Sequence, residues 1–223
     1  DADPVGYDAM IVFDDNWLDV LQTALQGAKQ RGIICDMIVG SGWPFGGGFL
    51  EKDEQTQMVT IETIDLKGGE KYSFKIKELL EKVNPEIYSK NKSVYRDLVM
   101  ARLLPKESEQ FTEGEDLTGQ IVNGKLSVDV PTGSYVLYYV VKLTGYMAVI
   151  YGAPGAAGPV LNHYNKPAVK NYLDRISGHI TGKIGNMGDY VWGMFCDSME
   201  LEGANWNDDL PEEFERRRGY SLL

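Results

Sequence analysis

The stretch "RGIICDMIVGSGWPFGGGF", Arg31–Phe49, couples an apolar run to a loop with five glycines among its last ten residues. "IICDMIV" is rich in β-branched and aliphatic residues, the composition of a strand buried on both faces. The stretch before it, "DDNWLDVLQTALQGAKQRG", brings Trp17, Leu18, Leu21, Leu25 and Ala28 round at helical spacing. Asp14 or Asp15 can cap that helix and Gly32 can stop it. Helix, buried strand and glycine-rich loop in succession are the rhythm of an α/β fold.

Outward from there the texture changes. "MVTIETIDL", "KYSFKI", "VYRDLVMARLL", "GQIVNGKLSVDV" and "SYVLYYVVKLTG" read as strands, by alternation or β-branched enrichment. "LKGGEK" and "VNGKL" are hairpin signals, the second through its Asn-Gly pair. "KELLEKVNPEIY" is a short helical interruption. Residues 56–145 are therefore expected to form an inserted antiparallel, sandwich-like β unit. The α/β rhythm returns in "YMAVIYGAPG", "GPVLNHY" and "DYVWGMFCDS" as strands. It continues in "NKPAVKNYLDRISGHI" as a helix capped by Asn165, with Pro167 in its first turn. A last helix opens at Asp208 or Asp209 and ends at Gly219, with Glu212–Arg216 and Glu213–Arg217 as i,i+4 pairs. The expected fold class is α/β with two parts, 1–55 with 146–223, and 56–145. Without the insertion about 130 residues of α/β chain remain, against roughly 200–250 for a complete (β/α)8 barrel. If the fold is a TIM barrel, these residues hold about half of it.

Composition narrows the function. The 223 residues are 43% hydrophobic and 25% charged, as in soluble globular proteins, and are enough for a sizeable core. No apolar run approaches the ~20 residues that span a bilayer. The net charge of −11 opposes nucleic-acid phosphates and anionic membranes as partners, and leaves a neutral partner or substrate easier to accept. A solvated acidic surface explains most of that charge by itself. Cys35 and Cys196 each sit in an apolar run and are expected as buried thiols, with a single disulfide still open. No Cys/His cluster has zinc spacing. "DADPVGYDAM" has neither a basic nor an apolar signal-peptide region, although a signal could have been removed before it.

The chemistry concentrates in "FCDSMELEGANW", Phe195–Trp206. On an extended strand Glu200, Glu202 and Ser198 share a face, with alternate residues roughly 6.5–7 Å apart. In parallel α/β sheets the carboxyl ends of strands are where ligands bind. Two carboxylates so placed suit an inverting glycosidase, or a hard cation such as Ca²⁺. The same residues could equally cap the next helix and face water. "GSGWPFGGGF" lacks the spacing of a phosphate loop. Trp43 and Trp206 could be sugar-stacking platforms or core residues. His163, at a strand end, is a candidate ligand or substrate contact, or an ordinary buried histidine. His179 reads as structural. Nothing supplies a base for Ser198 as a nucleophile.

Five segments in order resemble the catalytic region of glycoside hydrolase family 106, the α-L-rhamnosidase-like enzymes. They are "GSGWPFGGGF" at 40–49, "YRDLVMARLLP" at 95–105, "APGAAGPVLNHYNKPAVKNYLD" at 153–174, "FCDSMELEGANW" at 195–206 and "FERRRGYSL" at 214–222. The resemblance implies a (β/α)8 barrel, of which this chain would be a part, acting on terminal rhamnose or a related sugar of an oligo- or polysaccharide. It implies an inverting two-carboxylate mechanism with Ca²⁺ in the site. Glu202 and Glu200 would be the catalytic carboxylates, Glu200 alternatively a Ca²⁺ ligand, and Trp43, His163, Asp197 and Trp206 would line the sugar pocket. Further carboxylates are expected beyond Leu223, in a larger periplasmic or extracellular parent. Met199 and Asn162 depart from the family pattern, which more often has an aromatic residue and an Asp there. The rival expectation is a non-catalytic carbohydrate-binding or scaffold domain derived from the same fold.

Overall fold

The computed structural model describes residues 9–223. Most of the N-terminal stretch read for a signal peptide lies outside them. In chain order the helices are α1 (Asp15–Gln30), α2 (Ile76–Lys82), α3 (Lys166–Ile184) and α4 (Leu210–Arg218). The strands are β1 (Asp36–Ile38), β2 (Gln57–Lys67), β3 (Lys71–Lys75), β4 (Tyr95–Pro105), β5 (Glu115–Asp116), β6 (Lys125–Asp129), β7 (Ser134–Thr144) and β8 (Gly193–Phe195). The chain divides into two compact units. One holds residues up to Thr56, Ile87–Lys92 and Gly145–Ala204; the other holds Gln57–Glu86, Ser93–Thr144 and Asn205–Leu223. Residues 205–223 thus group with the β unit, whereas the sequence reading placed them with the α/β part.

In the first unit α1 and α3 pack together over a core of Leu25, Leu50, Leu161, Ala168, Tyr172, Ile176, Ile180 and Ile184. Five of these recur every four residues along α3, which gives the helix a single apolar stripe. Both long helices start where the sequence provides a cap. Asp14 accepts from the Trp17 N–H at 2.7 Å and Asn165 from the Ala168 N–H at 3.1 Å. β1 and β8 form a two-stranded parallel sheet, pairing Asp36 with Gly193, Met37 with Met194 and Ile38 with Phe195.

This sheet departs from the reading of the opening stretch. β1 has three residues, and it is not buried on both faces: Ile33, Ile34, Ile38, Trp192 and Phe195 are all more than half exposed. "YMAVIYGAPG" and "GPVLNHY" make no full strands; they meet the glycine loop through single bridges, Trp43 to Ile150 and Gly46 to Val160, and each other through Ala148 to Pro159. Backbones approach so closely there that a Cβ on Gly46 would sit 2.2 Å from the Pro159 carbonyl oxygen. The glycines of this loop serve chain-to-chain packing. Cys196 is exposed rather than buried, Cys35 is half-buried, and both thiols are free.

The second unit is an antiparallel β structure. One sheet runs β2-β7-β4-β5 and another pairs β3 with β6. Asn123 and Gly124, at φ 51° and 71°, turn the chain between Val122 and Lys125, which exchange two hydrogen bonds of 3.0 Å. Two consecutive positive φ values make this the two-residue hairpin turn that Asn-Gly favours. "LKGGEK" is not a hairpin, because β2 pairs with β7 and β3 with β6, so that link passes between sheets. Trp206 is buried in this unit and bridges Gln57. At α4 the expected Glu213–Arg217 pair forms at 3.0 Å, and Arg216 pairs with the same Glu213 at 2.7 Å in place of Glu212. Those guanidiniums hold the Glu213 carboxyl down at about 2. Overall the protein is mixed α/β with several sheets, mostly antiparallel.

Candidate functional site

The strand β8 ends at Phe195, so Glu200 and Glu202 do not share the face of an extended strand. Beyond it the chain turns tightly. The Leu201 N–H donates to the Met199 carbonyl at 2.8 Å, the Glu202 N–H to the Glu200 carbonyl at 3.0 Å and the Ala204 N–H to the Leu201 carbonyl at 3.1 Å. The first two are three-residue turns. They do by curvature what strand parity was expected to do: Glu200 and Glu202 line the same cavity, with Leu201 between them.

That cavity has a volume of about 620 Å³, and Trp43, Tyr88 and Met147 complete its walls. The size falls within the roughly 300–1,000 Å³ of small-ligand sites, and apolar walls with a few polar groups are the usual lining. Three hydrogen bonds hold the acidic loop in place. The Trp43 indole N–H donates to the Ser198 carbonyl at 2.6 Å. The Tyr146 hydroxyl donates to the Glu202 carbonyl at 2.8 Å. The Tyr88 backbone N–H donates to Glu202 Oε2 at 3.0 Å. Tyr146 is fully buried, and burial raises its phenol pKa well above the ordinary value, so it donates as a neutral hydroxyl. Glu202 is thereby fixed through both its backbone and its side chain.

The other residues singled out lie elsewhere. Asp197 is exposed and uses Oδ1 to accept from the Ser198 N–H at 2.7 Å, within its own loop. His163 packs edge-on against Phe45, with ring centroids 4.8 Å apart, in a cluster that continues from Phe45 to Tyr172. Burial lowers its pKa, against a smaller opposing influence from the Leu161 backbone. Trp206 belongs to the other unit. Neither Met199 nor Asn162 is among the lining residues; Asn162 is fully buried and accepts from the Tyr164 N–H at 3.1 Å. His179 stacks on Phe13 beside a separate cavity of about 190 Å³. Sequence reasoning missed Tyr88, Tyr146 and Met147. Tyr146 and Met147 lie in an apolar run and Tyr88 in a segment with no motif, so no local signal marked them.

Among the described residues no three His, Cys, Asp or Glu side chains come together as a metal site. A Ca²⁺ ion takes six to eight oxygens. Glu200 and Glu202 do not by themselves make that shell, so the residues present do not complete a site for the ion.

A family model described as alpha-L-rhamnosidase, glycoside hydrolase family 106, matches residues 106–223, more than half of the chain. The chain belongs to this family. The chain is similar to a "Putative beta-glucuronidase" of Formosa agariphila, 24% identical across the whole chain. In fold the chain is similar to the rhamnosidase from Novosphingobium sp. PP1Y, with a TM-score of 0.63 at 11% identity over 99% of the chain. The chain spans 21% of the first protein and 37% of the second.

Proposed function

We propose that this chain carries part of the active site of a glycoside hydrolase that removes terminal α-L-rhamnosyl or related sugars from oligo- or polysaccharides. The observation that carries the proposal is the convergence of Glu200 and Glu202 on one cavity walled by Trp43 and Tyr88. Hydrolysis with inversion needs one carboxylic acid to protonate the leaving oxygen and one carboxylate to take a proton from water on the opposite face. Glu202, whose orientation the Tyr88 N–H and the Tyr146 hydroxyl fix, is assigned as a catalytic carboxylate. Glu200 is its partner, and Trp43 gives the sugar an apolar wall. No step uses a metal ion.

The same reading assigns β1 and β8 to a (β/α)8 barrel completed by further residues of a longer chain. Their parallel pairing and exposed apolar side chains support this, because all-parallel sheets are covered on both faces. Degradation of external glycans suits a periplasmic or extracellular parent.

Glu202→Gln in the full-length protein tests the assignment. The amide keeps the shape and can still accept from the Tyr88 N–H, so melting should be unchanged. The expected loss of kcat on an aryl α-L-rhamnoside is about 10²–10⁴-fold, the contribution of a positioned acid or base. Undiminished cleavage would refute the role.

A further inference from the structure

Beside the acidic cavity two tyrosines stand out of the surface. Tyr88 is 71% and Tyr151 84% exposed. Their phenol oxygens share a hydrogen bond of 2.9 Å. Tyr88 lines the cavity with Glu202, whereas Tyr151 is not among its walls. The pair therefore starts at the carboxylates and leads outward.

The backbone holds this arrangement deliberately. Tyr151 has φ 55°, a left-handed conformation that a bulky residue adopts only against strain. It directly follows Ile150, which exchanges hydrogen bonds of 2.8 and 2.9 Å with Trp43. Tyr88 in turn fixes Glu202 through its N–H. The sequence of contacts runs from Trp43 through Ile150 and Tyr151 to Tyr88 and Glu202, all within one compact unit. Two large rings left in water gain nothing by burial. Their negatively charged faces suit the slightly positive C–H groups of a pyranose, and their hydroxyls offer donors and acceptors to its rim.

We propose that Tyr88 and Tyr151 form the subsite for the sugar unit adjoining the one that is cleaved. The proposal rests on the reading of Glu200 and Glu202 given above. An aromatic platform at this place selects glycans over simple rhamnosides, and Tyr88 is the positioning residue that joins platform and carboxylate. Occupancy of the outer unit would steady the Tyr88 backbone and with it Glu202.

Calorimetry on the full-length Glu202→Gln protein, which does not require cleavage, tests this with L-rhamnose and with an α-L-rhamnosyl disaccharide. Tyr151→Ala should weaken the disaccharide about tenfold, in keeping with an aromatic contact, and leave L-rhamnose within about twofold. Tyr151→Phe, which keeps the ring and loses the hydroxyl bond, should weaken the disaccharide by less. Equal weakening of both ligands, no weakening of either, or failure of the unmodified Tyr151 protein to bind the disaccharide overturns the subsite. So does a marked fall in melting temperature in Tyr151→Ala, since the ring would then be a packing element. Failure of the catalytic reading shows separately, as cleavage retained by Glu202→Gln.

Discussion

His163 shows how a single side chain can carry a pH dependence. Burial against Phe45 favours its neutral form and lowers its pKa. In the unfolded chain the imidazole titrates near ~6.5. Below that value the unfolded state binds a proton that the folded state resists, so stability falls as pH drops from about 6.5 toward the folded pKa. His163→Gln should lose this component. Urea midpoints measured at neutral pH and at mildly acidic pH should differ less in the variant than in the parent; an equal difference would show that His163 does not titrate this way. The residue was recognisable in the sequence as either a ligand or a buried histidine. That it lies outside the acidic cavity could not be read there, because Phe45, the ring it packs against, comes from a distant segment.

At the scale of elements, α3 is the principal support of the first unit. Ile180 is 1% exposed in the middle of its stripe. Ile180→Ala should cost about 2–5 kcal/mol, as lost burial plus an unfilled cavity. Chemical denaturation would read this directly, and a loss below about 1 kcal/mol would mean the site collapses around the smaller residue. The stripe, both N-caps, the Asn-Gly turn and the long strands of the second unit were all legible, because each is written in local spacing or composition. The short parallel strands were not. "IICDMIV" looks like an interior strand, and only three of its residues pair, on a sheet whose other side is bare. Local composition reports what a segment prefers to bury, and its neighbours decide whether it does.

For the molecule as a whole, the open β1/β8 sheet has consequences. Ile38 and Phe195 are register partners and each is more than half exposed, on a sheet that has two strands among the described residues. Exposed apolar edges invite pairing with other chains. The 223-residue chain by itself should self-associate, and Phe195→Lys should reduce this in sedimentation. If further residues of a longer chain cover the sheet, the same substitution should lower the denaturation midpoint of the full-length protein, because it would bury a charge there. Unchanged behaviour in both would mean that the sheet is not a docking edge.

Some properties follow from the amino-acid order alone. They are the helix caps, the Asn-Gly turn, the acidic stretch at 195–206 and the resemblance carried by five ordered motifs. Each depends on residues within a few positions of one another, or on their order. The site itself is different. Glu200 and Glu202 meet one cavity through tight turns, and Trp43, Tyr88 and Tyr146 anchor their loop from positions 43, 88 and 146. Hydrogen bonds between groups more than a hundred residues apart, as these are for Trp43 and Tyr88, leave no local pattern. Only the folded chain brings those donors to the carboxylates they hold.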